Sequence, residues 1–301
     1  MKIEFDIKDH SNEIKYDTLE HYAKLIDGGK EEELTNILEQ NLNDDPYYSF
    51  HILKSCLVSE GYYYPLSSWL LEQPKLLPAN QETKDLLHIE GIQSPIVWED
   101  AEANRTAFTK RIEELTKANE NIDIIVLPEV FTSGFSMNLD SIDSWESGAT
   151  LNWMRGLAKK YNLAITGSVA FRFEDGLARN RSLFIKPDGS FEYYDKRHLF
   201  TFGKENEHYK RGEDRKVVEY RGWKILLQIC YDLRFPCFAR NSLSARYDVA
   251  LYVANWPEAR RHPWRTLLQA RAMENQCYVM GVNRTGTDPN KIIYCGDSLS
   301  A

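Results

Sequence analysis

The stretch LLQICYDLRFP, residues 226–236, starts as an apolar run and turns polar at Cys230. An apolar run of this length that ends in polar residues is typical of a buried strand leading into a turn or a helix. Backbone N–H groups and the positive end of a helix lower the pKa of a cysteine, so this position favours a reactive thiolate. An inert buried cysteine fits the position equally well, because free cysteines are among the most buried residues.

A second block, LPEVF at residues 127–131, places Glu129 at the end of another apolar stretch, residues 124–128. Burial at a strand end raises the pKa of a carboxyl group, which makes it a usable base near neutral pH. Backbone donors at the strand end could also satisfy this carboxylate without any role in chemistry. Because burial of an unpaired charge is unfavourable, we favour the interpretation of Glu129 as a general base.

A third block, YDKRHLF at residues 194–200, contains Lys196 among other charged residues. A solvated charge cluster is the simplest interpretation of this lysine alone. Together with a buried glutamate and a strand-end cysteine, it becomes a candidate to stabilise an oxyanion, with the backbone N–H of Tyr231 as a second donor. His198 is an alternative base for the cysteine, as in papain-like proteases. The three blocks therefore predict a cysteine that attacks the carbonyl carbon of an amide.

Strand-like and helix-like stretches alternate beyond residue 86, which indicates an α/β fold. A Pro-Asp-Gly turn at residues 187–189 joins two strand-like stretches into a hairpin. Several strand-like stretches lack the alternation of a half-exposed sheet, so we expect both faces of each sheet to be covered. The pattern predicts a four-layer α-β-β-α sandwich. The predicted helices of this part are residues 104–119, 151–162, 235–247 and 263–276.

The first 82 residues differ from the rest in pattern and charge. They contain long helix-like stretches, such as residues 31–42 and 48–60, and few strand-like ones. Residues 1–80 hold 7 Lys+Arg and 15 Asp+Glu, and the remainder holds 30 of each, so the net charge of -8 comes from this segment. A linker with two prolines and small polar residues is expected at residues 72–85. We predict a small helical segment of unassigned role, followed by a domain over residues 83–301.

Several classes of protein and partner are disfavoured by composition. The charged start and the absence of any long apolar run argue against a signal peptide and a membrane helix, and favour a cytoplasmic protein. Five widely spaced cysteines argue against a disulfide scaffold or a zinc site. No basic stripe is present to bind nucleic-acid phosphates. We therefore expect neither nucleic acid nor membrane as a partner.

Six ordered blocks from about residue 84 onward resemble the nitrilase superfamily of carbon-nitrogen hydrolases, and most closely its omega-amidase branch. The blocks are LPEVFTSGFSM, YDKRHLF, CYDLRFP, LYVANWP, ARAMENQCYV and NRTG. The resemblance implies an α-β-β-α sandwich, a homodimer, and chemistry without a metal or an organic cofactor. It also implies that Glu129 is the base, Lys196 the oxyanion stabiliser and Cys230 the nucleophile.

The resemblance extends to further site residues. A second glutamate between the lysine and cysteine blocks is expected from FGKENEHYKRG, where Glu205 is favoured over Glu207. A cation for a substrate carboxylate could come from Arg234, Arg260 or Arg261. The residues expected to contact substrate are Phe131, Tyr231, Arg234 and Trp256.

The implied reaction uses water to hydrolyse small omega-amides of dicarboxylic acids, of the 2-oxoglutaramate or 2-oxosuccinamate type, through a thioester. Nitrile hydrolysis, carbamoyl-amine hydrolysis and acyl transfer are alternatives that the same three residues can perform. The family continues past the GDS segment, whereas this chain ends at Ala301, so an incomplete sheet is expected. A truncated, inactive chain that acts as a binding protein is therefore the rival hypothesis.

Overall fold

The chain divides into two compact units, Met1–Thr83 and Lys84–Ala301. The predicted boundary after residue 82 lies outside the described residues, as does most of the predicted linker at 72–85. The computed structural model describes residues 15–44, 48, 49, 52, 55, 56, 64–71, 73, 84, 86–242 and 245–301.

The first unit is helical where the structure describes it. Apolar residues spaced three or four apart give each helix one buried face, as Leu34 and Leu38 do. These faces pack into one apolar core together with Ile52 and Cys56. The predicted helical stretch at 48–60 is described at only five of its positions. The helices are α1 (Tyr16–Asp27), α2 (Glu31–Asp44) and α3 (Tyr64–Leu71).

The second unit contains two main β-sheets, and the first has six strands in the order β1-β2-β4-β5-β6, with β3 paired to β4. The strands β1, β2 and β4 run parallel, and β4, β5 and β6 form antiparallel neighbours. The strand bounds are β1 (Ile89–Gly91), β2 (Ile124–Val126), β3 (Asp143–Ser144), β4 (Ala164–Arg172), β5 (Ala178–Ile185) and β6 (Phe191–Asp195).

The second sheet has five strands in the order β13-β10-β9-β8-β7, and β11 and β12 form a separate hairpin. Its three central strands, β8, β9 and β10, run parallel. Its outer strands β7 and β13 pair antiparallel to their neighbours. The bounds are β7 (Val217–Tyr220), β8 (Trp223–Ile229), β9 (Val249–Ala254), β10 (Tyr278–Asn283), β11 (Thr285–Thr287), β12 (Ile293–Cys295) and β13 (Leu299–Ser300).

The two sheets pack face to face, with helices on their outer faces. One apolar core contains residues of both sheets, such as Val126 and Leu227, and so lies between them. Two further cores lie between each sheet and its helices, and Leu226 belongs to one of these. This arrangement confirms the predicted α-β-β-α sandwich. The helices of this unit are α4 (Ala101–Ala118), α5 (Ala149–Tyr161), α6 (Glu205–His208) and α7 (Arg261–Asn275).

The predicted helix at residues 235–247 is wrong. Residues 235–242 and 245–247 form turns and short bridges in the structure. The Asn241 side chain instead closes a loop, because it bonds both the N–H and the carbonyl of Tyr247. Within the described parts of the chain, no helix is both long and apolar enough to cross a membrane.

Candidate active site

Four strands of the two sheets end around one cavity of about 520 Å³. Glu129 and Lys196 follow β2 and β6 of the first sheet. Cys230 and Trp256 follow β8 and β9 of the second sheet. All four residues line the cavity. The structure thus brings together the three residues predicted to carry the chemistry, at strand ends where open α/β sheets bind their ligands.

The Glu129 carboxylate is fully buried and held by donors from three directions. Its Oε1 accepts hydrogen bonds from Lys196 Nζ and Asn180 Nδ2, each at 2.8 Å. Its Oε2 accepts one from the backbone N–H of Asn255 at 2.7 Å. The Asn255 side chain also donates to the Glu129 carbonyl at 2.5 Å. These contacts fix the orientation of the carboxylate, so its two oxygens have different hydrogen-bond donors.

Lys196 is also buried, between two carboxylates. Its Nζ lies 3.1 and 3.0 Å from the two carboxylate oxygens of Glu205, in addition to its contact with Glu129. Burial opposes the charged form, but Glu129 and Glu205 outweigh it and raise the pKa of Lys196 well above its ordinary value. Glu207 is exposed, so of the two candidate glutamates it is Glu205 that the structure brings to the lysine.

Glu205 itself is fully buried in α6. Its carboxylate accepts a hydrogen bond from the backbone N–H of Phe200 at 2.6 Å and from Asn180 Nδ2 at 3.2 Å. Burial raises the pKa of Glu205, the Lys196 ammonium lowers it, and the Glu129 charge raises it again. Asn180 therefore bridges two carboxylates that share one lysine.

Cys230 begins a five-residue 3-10 helix, Cys230–Arg234, directly after β8. Its φ of 44° lies in the left-handed region, which residues with a Cβ rarely adopt. Burial raises the pKa of Cys230 well above its ordinary value, and the Glu129 charge adds to this against the opposing effect of Lys196. The expected preference for a thiolate is therefore wrong, because burial and the Glu129 charge outweigh the effect of Lys196.

The remaining predicted residues divide into those that reach the cavity and one that does not. Tyr231, Arg234 and Trp256 line it. Phe131 does not, and its prediction as a substrate contact is corrected. Its backbone N–H donates to the carbonyl of Ser168 in β4, and its ring packs edge-on against Phe108 at 5.4 Å in the helix-facing core.

Two guanidinium groups line the cavity without a carboxylate partner in the described part of the chain. Arg234 lies over the ring of Trp256 and Arg260 over the ring of Phe200, each at 5.1 Å. Arg261 is different, because its Nε pairs with Asp297 at 2.8 Å. Of the three arginines considered from sequence, the structure therefore leaves Arg234 and Arg260 available to an anion.

His198, the alternative base, does not line the cavity. Its Nδ1 lies 2.8 Å from Asp232 Oδ1, and its ring stacks on Phe235 at 3.7 Å.

Two residues near Glu129 were missed by sequence reasoning. Asn255 could have been found, since it precedes Trp256 in the LYVANWP block, but Asn180 lies inside β5 with no local signal.

Comparison with known proteins shows which family has a sequence similar to that of this chain. A family model described as carbon-nitrogen hydrolase matches residues 91–301, more than two thirds of the chain. The chain belongs to the carbon-nitrogen hydrolase family. This carbon-nitrogen hydrolase therefore acts on carbon-nitrogen bonds other than peptide bonds, and the resemblance drawn from the six sequence blocks is confirmed.

Among the relatives of this carbon-nitrogen hydrolase, omega-amidase YafV of Escherichia coli K12 is 49% identical over 212 residues, which are 70% of this chain and 80% of the relative. The 2-oxoglutaramate amidase of Bacillus subtilis is 34% identical over 187 residues, covering 62% and 72%. The crystal structure of XC1258 from Xanthomonas campestris, a superfamily member with an arsenic adduct in its active site, aligns with a TM-score of 0.67. That protein is 45% identical, with 71% and 82% of the two chains covered.

Proposed function

We propose that this hydrolase releases ammonia from omega-amides of dicarboxylic acids, of the 2-oxoglutaramate or 2-oxosuccinamate type. The names of two relatives, omega-amidase YafV and 2-oxoglutaramate amidase, support this substrate class. The observation that carries the proposal is one cavity that combines Glu129, Lys196 and Cys230 with two arginines that pair with no carboxylate of the described residues. A cysteine that attacks the amide and a cation that binds the distal carboxylate can thus act on one small molecule.

The first step moves a proton from the Cys230 thiol to Glu129 while the sulfur attacks the amide carbon. Oε1 of Glu129 already accepts two hydrogen bonds, whereas the backbone N–H of Asn255 donates one to Oε2. A carboxylate oxygen has two lone-pair directions, so Oε2 retains one for the thiol proton. The new S–C bond converts the carbonyl into a tetrahedral oxyanion.

Lys196 and the backbone N–H of Tyr231 stabilise that oxyanion. The raised pKa of Lys196 keeps the ammonium charged throughout the neutral range. Its three N–H groups can serve Glu129 and Glu205 with two and leave the third for the oxyanion. Tyr231 lies in the first turn of the 3-10 helix, where backbone N–H groups have no acceptor within the helix.

Collapse of the tetrahedral intermediate completes the reaction. Protonated Glu129 returns its proton to the amide nitrogen, the C–N bond breaks, and ammonia leaves a Cys230 thioester. The same carboxylate then takes a proton from water, whose oxygen attacks the thioester carbon. The C–S bond breaks, the sulfur regains its proton, and the carboxylic acid is released.

The test is ammonia release from 2-oxoglutaramate, followed together with the mass of a Cys230 acyl adduct. Cys230→Ala should abolish both, because no other thiol lines the cavity in the described residues. Activity that survives in Cys230→Ala would remove the cysteine from the mechanism. Turnover of nitriles or carbamoyl amines without turnover of omega-amides would reassign the substrate class.

Arg234→Met and Arg260→Met should each raise KM for the omega-amide by about 10-fold or more, because a charge-assisted hydrogen bond contributes about 1.5–3 kcal/mol. The value of KM for a primary amide of equal length without a carboxylate should not change. Arg261→Met is the matched control and should leave both KM values unchanged, since Asp297 already occupies that guanidinium. Equal increases in KM for both amides would show that the arginines do not bind the carboxylate of the substrate.

We also propose that the two compact units are separate domains, since each has its own apolar core. Every residue that lines the cavity belongs to the second unit. The proposed chemistry therefore resides in Lys84–Ala301.

A further inference from the structure

Asp232, two residues after Cys230, is a fully buried carboxylate outside the cavity lining. Its Oδ2 accepts hydrogen bonds from the backbone N–H of Ile229 at 3.0 Å and from the Tyr194 hydroxyl at 2.8 Å. Its Oδ1 accepts from the backbone N–H of His198 at 3.0 Å and from His198 Nδ1 at 2.8 Å. Four donors saturate the carboxylate, and no lysine or arginine of the described chain pairs with it.

These four bonds connect both sides of the candidate site. Ile229 is the last residue of β8 and directly precedes Cys230 in the second sheet. Tyr194 and His198 lie two residues before and two residues after Lys196, at the end of β6 in the first sheet. One buried carboxylate therefore ties the turn of the cysteine to the segment of the lysine.

The His198 ring is held in a fixed orientation for this contact. It stacks on Phe235 with an interplanar angle of 7° and meets Phe238 edge-on at 5.1 Å. Because a carboxylate only accepts hydrogen bonds, Nδ1 of His198 carries the proton that faces Asp232. The histidine thus acts as a donor in this network.

The cysteine needs such support because its backbone is strained. Residues with a Cβ rarely adopt the left-handed region, and this conformation persists only where its surroundings enforce it. The bond from the Ile229 N–H to Asp232 closes the turn around Cys230. We propose that Asp232 is a positioning residue, which sets the distance and angle between the Cys230 sulfur and Lys196 through Ile229, Tyr194 and His198. The proposal rests on the proposed role of Cys230 as nucleophile.

The test replaces Asp232 by Asn, which has a similar shape but only one acceptor oxygen. In either orientation of the amide, the backbone N–H of Ile229 or of His198 faces an NH2 group and loses its acceptor. We expect kcat for ammonia release to fall about 100-fold, the effect of a small misplacement of reacting groups. The value of KM should stay within about twofold, because the arginines and rings of the cavity are untouched.

Asp123→Asn is the matched control. Asp123 is equally buried and accepts the backbone N–H of His88 at 2.9 Å and Lys84 Nζ at 2.7 Å, but it precedes β2, whereas Glu129 follows that strand. This variant should lose thermal stability while its folded fraction keeps the wild-type kcat. An equal loss of kcat in Asp123→Asn would show that general destabilisation, and not positioning, explains the Asp232 result.

Tyr194→Phe keeps the proposal testable if Asp232→Asn does not fold, since it removes a single hydroxyl from the network. We expect it to lower kcat by about 10-fold, the equivalent of one hydrogen bond of about 1.4 kcal/mol, with KM unchanged. Folded Asp232→Asn or Tyr194→Phe with wild-type kcat would overturn the proposal. Activity in Cys230→Ala would instead overturn the proposed function, so the two failures are distinguishable.

Discussion

Cys230 keeps its proton in the resting site because burial and the Glu129 charge both disfavour a thiolate. Lys196 opposes them but is itself neutralised by two carboxylates. The proposed proton transfer to Glu129 therefore accompanies attack on the substrate and does not precede it.

Titration of the thiol tests this directly. The ultraviolet thiolate absorbance of the wild type, minus that of Cys230→Ser, should stay near zero up to the ordinary cysteine pKa of 9.0. The folded state keeps this proton at pH values above 9.0, where the unfolded chain releases it. The protonated thiol therefore makes its full contribution to the free energy of unfolding at neutral pH. That contribution is lost as the pH rises further. A thiolate signal at neutral pH would contradict the assignment.

The sequence alone located Glu129, Lys196 and Cys230, since each lies where an apolar strand turns polar or within a distinctive block. The lowered Cys230 pKa that it predicted is wrong, because burial of the thiol, and then the charge of a glutamate from the other sheet, raise that pKa. Asn180 was missed for a similar reason: a polar residue inside β5 gains meaning only from the two carboxylates that it contacts. Asp232 was visible in CYDLRFP, but its four donors were not.

The segments that follow the strands determine where the site residues lie. Gly212 follows α6 and donates its backbone N–H to the Lys196 carbonyl at 2.9 Å. A Cβ on Gly212 would overlap with the backbone carbonyl of Asp195. Because backbone atoms cannot rotate away as a side-chain end can, a larger residue would displace the segment that carries Lys196.

Gly212→Ala should therefore destabilise the protein by about 1–3 kcal/mol, as overpacking does, and lower kcat as well. The matched control is Gly156→Ala, in an exposed position of α5 with no atom near the added Cβ. There the free energy of unfolding should rise by about 0.5–1 kcal/mol with kcat unchanged. Thermal denaturation and ammonia release measure both effects. Wild-type activity in Gly212→Ala would disprove the coupling between this glycine and the lysine.

Most elements of the second unit could be predicted from sequence because their apolar runs have strand length or helical spacing, as in β8 and α7. The helix predicted at 235–247 failed since side-chain bonds of Asn241 compete with helical hydrogen bonds. Periodicity records apolar spacing and carries no information on such local competition.

The two sheets carry different parts of the site. Glu129, Lys196 and Glu205 follow strands of the first sheet, and Cys230 follows a strand of the second. The apolar core between the sheets therefore sets how far the base lies from the nucleophile. The cores between each sheet and its helices contribute to stability but do not set the distance between Glu129 and Cys230.

Neighbouring leucines of β8 test this difference. Leu227 lies in the core between the sheets and Leu226 in the core that faces the helix, and both are buried. Leu227→Ala and Leu226→Ala should each cost about 3 kcal/mol of stability. We expect kcat to fall about 10-fold or more in Leu227→Ala alone, because a small shift between reacting groups is costly. Equal kcat losses would show that the inter-sheet core has no special role.

Some features of the whole molecule stay predictions. These are the homodimer, the cytoplasmic location and the role of the helical first unit. The two-sheet architecture could be predicted because its strands are apolar on both faces. Assembly depends on how surfaces match between copies, which apolar spacing within one chain does not encode.

Among the residues that the structure describes, Arg234 and Arg260 contact aromatic rings and no carboxylate, so an incoming anion has no ion pair there to break before it binds. Residues 81–301, which include every residue lining the cavity, hold 30 Lys+Arg and 30 Asp+Glu and so carry no net charge that opposes an anion. The two arginines that line the cavity give it a local positive charge, which we expect to attract a negatively charged substrate. We therefore expect KM to rise with ionic strength, while kcat, which depends on the buried Glu129–Lys196 pair, should change little.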